Sequence, residues 1–199
     1  MKKNVFNPEY QQEDISGKIV FGLGRISEVY KALLWDKAKV AGLSPIQIQL
    51  LLFIDSHRDD FCNISHLAKE FNVTKPTISD AIKVLHKKEL IIKNHSQTDS
   101  RSYTIALSPS GHQIINPTIN FAQPLQAQID TLKKEQIEDL FKTLSELIYK
   151  LNRSGILQVQ RTCFACKYYK KNNDTHYCSL MEKQLQNQEI RLDCPEFSE

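Results

Sequence analysis

Four cysteines stand in the last 37 residues of this 199-residue chain, at Cys163, Cys166, Cys178 and Cys194, and the preceding 162 residues hold only Cys62. Their spacing is C-x2-C-x11-C-x15-C, ending in Cys194-Pro195. Four thiolates in so short a segment form a metal donor set, and two fillings suit them. An iron–sulfur cluster takes four thiolates, and a proline after the last one suits it. Zinc accepts the same four, or three of them with His176 in place of Cys178. Either filling answers a physical need, because about 37 residues cannot bury enough apolar surface to fold unaided. A cluster makes the chain a redox or iron sensor; zinc makes the tail a structural clip or a partner-binding surface. The spacing leaves both open.

The compartment bears on this chemistry. The opening segment, MKKNVFNPEYQQEDISGK, has two lysines with no apolar run behind them, unlike a signal peptide. The longest apolar run, Leu50 to Ile54, is far too short to span a bilayer. A cytoplasmic protein is expected, and a reducing cytoplasm argues against a disulfide framework. Hydrophobic residues at 41% and charged residues at 25% are ordinary for a globular protein. No Ser-His-Asp grouping, phosphate loop or paired-carboxylate motif appears in supporting context, so an enzyme is not expected.

The elements that must carry the tail are legible in the apolar spacing. Ile15, Ile19, Leu23, Ile26, Tyr30 and Leu33 share one face of a long helix. In AGLSPIQ, Gly42 ends that helix and Ser44, Pro45 and Gln47 start the next with a capping box. QIQLLLFI is apolar nearly all round and belongs to the core. After a polar break, Ser65 is expected to cap a short helix with Leu67, Ala68 and Phe71 inward. Asn72 falls where a tight turn needs a positive φ, and Val73 is expected to plug that turn. Thr74 caps the next helix, Pro76 fits its first turn, and Ile78, Ala81, Ile82 and Leu85 follow at helical spacing. LIIKNHSQTDSRSYTIALSPSG alternates as two strands around a polar tip and closes in a turn at Pro109 to Gly111. Pro117 and Pro124 interrupt later helix. A second long amphipathic helix runs from Lys134 to Leu157.

Two short helices, a tight turn and a two-stranded ribbon make a winged helix-turn-helix, and the chemistry of this one suits DNA. The window from Asn63 to Thr104 has seven basic residues against four acidic ones, a surplus equal to the whole chain's +3. The second helix would enter a major groove with Thr74, Lys75, Thr77, Ser79, Asp80 and Lys83 on its start and outer face. Small hydroxyls there approach phosphates and base edges closely, and helix N-terminal N–H groups favour anions. At the ribbon tip, Arg101 suits a narrow minor groove, with Asp99 placed to hold its guanidinium. Cys62 reads as a small buried hydrophobe.

LAKEFNVTKPTISDAIKVLHKKELI, the wing QTDSRSYTIALSPSGHQII and the flanking long helices resemble the MarR family of dimeric transcriptional regulators over roughly residues 10 to 160. The most specific parts are the Asp99-x-Arg101 pair and the close from Leu107 to Gly111. The resemblance implies that Asp99 and Arg101 sit at a DNA-contacting tip, and that the first and last long helices form a dimer interface. Asp80 departs from the pattern, since relatives often carry a basic residue there; a carboxylate suits the amino group of cytosine. The tail is similar, over a few residues, to small cluster-binding modules that end in Cys-Pro-Glu-Phe.

The expected fold is mainly α with a small β-wing: a winged helix-turn-helix flanked by long dimerisation helices over 1–160, then a Cys-rich metal-binding module over 161–199. The expected function is a homodimeric, sequence-specific regulator of transcription that binds double-stranded DNA and responds to redox state, iron or a small ligand. Oxidation of a cluster would unfold the tail and shift the adjoining dimer helix near Gly155 to Arg161. The alternative is an electron-transfer protein whose winged helix serves protein contacts.

Overall fold

The computed structural model describes residues 4–11, 14–95, 103–172 and 175–198. A short helix α1 (Pro8–Gln11) precedes the long α2 (Ile15–Ala41), and α3 (Pro45–Ser56) follows. The break between α2 and α3 has the expected chemistry. Gly42, at φ 62°, sits in the left-handed region with its N–H turned back to Ala38 and Lys39, and Ser44 and Gln47 close a capping box. Helix α2 reaches the core mainly through its last third, at Leu34 and Ala38, with Tyr30 packed edge-on against Phe121. Ile15, Ile19, Ile26 and Trp35 are each at least half exposed, so most of its apolar face is uncovered within one chain.

Helices α4 (Ile64–Glu70) and α5 (Lys75–Lys87) form the helix-turn-helix. The cap of α4 differs from expectation: Asn63, not Ser65, accepts the His66 N–H at 2.9 Å, which places Ser65 inside the first turn. Asn72 has φ 52°. Around it, Val73 donates to Ala68 and Asn72 to Lys69, the paired bonds of a left-handed helix stop. Val73 does not plug the turn. It is exposed, and the half-buried Phe71 packs against the core instead.

The wing pairs β1 (Ile91–His95) with β2 (Tyr103–Leu107) in antiparallel register, Ile91 opposite Leu107 and His95 opposite Tyr103. Ile105 also donates to the Cys62 carbonyl at 2.8 Å, which ties the wing to the segment before α4. The expected turn from Pro109 to Gly111 is instead the first turn of α6 (Pro109–Ile115). Ser108 caps it, accepting from Gly111 N–H and donating to the Glu89 carbonyl at 2.6 Å. A Cβ on Gly111 would lie 2.1 Å from the Leu90 carbonyl oxygen, so only glycine fits this crossing. Helix α7 (Gln123–Ile129) takes Pro124 in its first turn, and α8 (Lys134–Arg153) stops short of Leu157 because Gly155, at φ 77°, turns the chain away.

Ile48, Leu50, Leu51, Leu67, Ile78, Ile82, Leu85, Ile105 and Ile115 are essentially inaccessible and join α3 to α6 and the wing in one core. The tail is a separate, smaller unit. Its three-stranded antiparallel sheet runs β3 (Tyr169–Asn172), β4 (Thr175–Cys178), β5 (Lys183–Leu185), and its buried centre is Cys163, Leu185 and Ile190 packed against Phe141 of α8. Among the described residues, no single helix is long and apolar enough to cross a membrane.

Candidate functional site

Helix α5 is mounted on the core by Ile78, Ala81, Ile82 and Leu85 and turns its other face outward. Thr74, Lys75, Thr77, Asp80 and Lys83 are exposed, and Ser79 is half-buried. Thr74 Oγ1 accepts the Thr77 N–H at 3.3 Å, and the two hydroxyls share a 2.8 Å hydrogen bond. Pro76 has no N–H. With these two backbone donors lacking or engaged, an anion at this end meets mainly the hydroxyls, Lys75 and the positive end of the helix dipole.

Asp80 and Lys83 pair one turn apart at 2.9 Å, both well exposed. The hydrogen bond to Asp80 holds the Lys83 ammonium above its ordinary range. An exposed pair like this is weak and opens readily, so either group can exchange its partner for a base or a phosphate. On the wing, the Lys93 ammonium lies 4.9 Å from the centre of the Tyr103 ring. Asp99 and Arg101 fall within 96–102, outside the described residues.

The tail brings all four of its cysteines to one place. Cys163, Cys166, Cys178 and Cys194 line a single cavity of about 30 Å³, walled on its apolar side by Leu180, Met181 and Leu185. All four are free thiols. Burial pushes the Cys163 thiol up, and the other three cysteines add to this, against the Arg191 N–H that donates to its sulfur at 3.2 Å. The Arg191 guanidinium approaches the Cys194 sulfur at 3.7 Å. Among the described residues, no three His, Cys, Asp or Glu side chains gather closely enough to hold a single metal ion. His176 is not brought to the cysteines. Its Nδ1 lies 2.6 Å from the Tyr169 hydroxyl and its Nε2 3.1 Å from Asn187 Oδ1, on the wall of a larger cavity of about 610 Å³ beside α8. Burial and the neighbouring Cys163 push Tyr169 up to about 12. Cys62, as expected, is buried, and burial followed by Asp59 and Asp60 pushes its thiol up to about 11.

One functional-looking residue carries no signal in the sequence. Arg161 is 5% exposed and sits between the two units. Its guanidinium donates to Asp193 at 2.6 and 2.8 Å and to Glu70 at 2.8 Å, and lies 5.6 and 5.2 Å from the centres of the Phe53 and Phe61 rings. Burial opposes its charge, but the bonds to Asp193 and Glu70 outweigh that and keep it protonated. In return, the Arg161 bond first, against burial and with help from His57, holds Asp193 down at about 2. The last long helix, expected to reach Leu157, ends at Arg153, and residues 155–161 lead from it to the tail, touching the helix-turn-helix through Gln158 and Arg161.

Residues 41–102 match the model of the MarR family, which spans the helix-turn-helix and the first strand of the wing. No curated protein matches the chain. Among solved structures, the Staphylococcus aureus MepR–DNA complex is similar at 24% identity and a TM-score of 0.59, over 66% of this chain and 97% of that one. Staphylococcus aureus MarR in complex with salicylate and kanamycin is similar at 19% identity and 0.61, over 72% of this chain and 96% of that one. A MarR protein from Peptoclostridium difficile gives 19% and 0.62, over 71% and 92%. In sequence over 41–102, and in fold over about two thirds of its length, the chain is similar to winged-helix proteins of the MarR family.

Proposed function

We propose that this chain is a MarR-type regulator of transcription, not an enzyme, and that it binds double-stranded DNA as a homodimer. The observation that carries the reading is α5: its inner face is locked into the core, while Thr74, Lys75, Thr77 and Lys83 are exposed at its start and on its outer face. Helix α5 enters the major groove, and the wing carries Asp99 and Arg101 to the adjacent minor groove. Dimerisation covers the apolar residues that one chain leaves exposed on α2 and α8, among them Ile19, Ile26, Trp35 and Leu140. Two-fold symmetry then sets half-sites about one helical turn, or ~10 base pairs, apart. Selection from a random duplex library, with sedimentation of the free protein, tests this. A recurring palindromic site bound by a dimer is the expected outcome, with affinity falling steeply as salt rises. A monomer, or no preference among sequences, overturns it.

The same proposal assigns Cys163, Cys166, Cys178 and Cys194 to a metal centre. An apolar centre of three buried residues is too small to hold the tail, while four thiols line one cavity and two of them, Cys163 and Cys194, receive N–H groups from Arg191. Zinc, at ~2.3 Å from each sulfur, needs the four thiols almost in contact. An iron–sulfur cluster takes the same four thiolates, so the shared cavity suits either filling. When bound, such a group supplies a redox-sensitive clamp; the chain's own residues supply the thiolates, the N–H donors to sulfur and the apolar wall. Iron, zinc and sulfide analysis of anaerobically prepared protein separates the fillings. Iron with sulfide and a brown colour supports the cluster; one colourless zinc per chain replaces it.

A further inference from the structure

Arg161 joins two things that the sequence keeps far apart. On one side is Asp193, the residue next to Cys194; on the other is Glu70, the last residue of α4, in the first helix of the helix-turn-helix. The Arg161 backbone is tied to the same tail segment, through a bridge to Asp193 and a 3.0 Å bond from Cys194 N–H to the Arg161 carbonyl. A second contact lies two residues beyond Glu70. Gln158 Nε2 donates to Oδ1 of Asn72, the positive-φ residue that sets the angle between α4 and α5. A third joins Asp193 to His57 at the end of α3, 2.9 Å away, with the His57 ring stacked on Phe53. The tail thus grips the helix-turn-helix at its turn, through a buried charge with acidic partners on both sides.

We propose that Arg161 is the positioning residue through which the cysteine tail controls DNA binding: a closed tail holds α4 and its turn in place for α5 to enter the groove, and an opened tail releases them. The proposal rests on the regulator reading above. It gives that reading a direction, with the closed tail as the DNA-binding state. The physical basis is the cost of a buried charge. A guanidinium that loses Asp193 keeps one carboxylate, Glu70, beside the Phe53 and Phe61 rings, and becomes a poorly compensated buried cation. The relief open to it is to move toward water, and Glu70 and the end of α4 must follow or let go. Among the described residues, the tail offers the α4–α5 turn no second anchor of comparable burial, since Gln158 and Asn72 are both exposed.

The test is a pair of variants in the full chain, Asp193→Ala and Glu70→Gln, singly and together. They are read by amide hydrogen exchange over 64–73 and by affinity for the selected operator, with metal content measured in parallel. Asp193→Ala is expected to raise exchange at the end of α4 and in the turn, and to weaken operator binding by roughly tenfold, within the usual range of coupling between sites. In the Glu70→Gln background the same change should add less than about twofold, because the route is already cut. The proposal is overturned if Asp193→Ala loosens only the tail, or if its effect on α4 persists in full without Glu70. Exchange is read without DNA, so a chain that couples tail to turn but binds no operator would leave the coupling standing and refute the regulator reading instead. Likewise, a metal-free tail that still acts through Arg161 would refute only the metal assignment.

Discussion

The winged helix and the cysteine tail solve the same problem with unequal means. The winged helix buries a continuous set of aliphatic side chains, and its turns carry their own caps at Gly42, Ser44, Thr74 and Ser108. The tail has a three-residue centre and leans on Phe141 from α8. Its other internal ties include short strands, the Arg161–Asp193 and Lys183–Glu189 ion pairs, the Tyr169–His176 hydrogen bond and the contacts of the thiols. A region secured by burial changes little with its chemical surroundings. A region secured by ligands and ion pairs responds to them, and on the proposed reading this makes the tail the sensor and the winged helix the effector.

The same truncation made in both regions should expose this contrast most strongly. Leu51→Ala in the core of α3 should cost about 2–5 kcal/mol in global stability, because the cavity cannot collapse among rigid neighbours. Leu185→Ala in β5 removes the same atoms, yet should leave the global urea midpoint nearly unmoved while strands β3 to β5 lose exchange protection. Equal shifts of the global midpoint would mean that tail and winged helix unfold as one unit.

Local turn chemistry was the most legible part of the sequence. Asn72, Thr74 and the Gly42–Gln47 stop and restart all follow rules that act within four residues, and they hold in the fold. Where several residues compete for one role, the sequence misleads. Asn63 takes the cap from Ser65, and Glu89, at φ 59°, fills a left-handed stop where no asparagine or glycine signals one. The Arg161 cluster was illegible for a different reason. Its partners lie 91 and 32 residues away, and an arginine after a polar linker looks like any solvated charge until the fold closes over it. The four cysteines read as a donor set, and the fold does bring them to one cavity, but spacing alone does not report the size of the space they enclose.

A smaller effect is expected at the start of α5, where the winged helix relies on its own cap. Thr74→Ala removes the cap on Thr77 and should cost about 1 kcal/mol, seen in urea unfolding. It should also alter base preference in operator selection, whereas Thr74→Ser keeps the cap and should restore most of the stability. If the alanine variant is unchanged in stability, the cap at this end is not holding α5.

The smallest expected effect is a pH dependence at the join between the regions. Burial lowers the pKa of His66, with Arg161 and Lys69 acting in the same direction and Glu70 and Asp60 opposing. The unfolded chain therefore takes up this proton first as pH falls through the ordinary value of 6.5. His66 should lower stability on acidification across the window from that value down to its depressed folded pKa, and contribute nothing further above it. The difference in urea midpoint between wild type and His66→Gln isolates this slope when followed from about pH 7.5 to about pH 5, a range that brackets an ordinary histidine. A flat difference would place His66 in solvent.

If bound thiols hold the tail and burial holds the winged helix, removing the metal must separate the two regions. Hydrogen exchange on anaerobically prepared protein, before and after a strong chelator, reads this separately over β3 to β5 and over the α3–α5 core. Stripping the metal should abolish protection in the three strands and leave the core of α3 and α5 protected. Protection that survives in the strands, or that is lost in both regions together, would show that thiol ligation is not what distinguishes them.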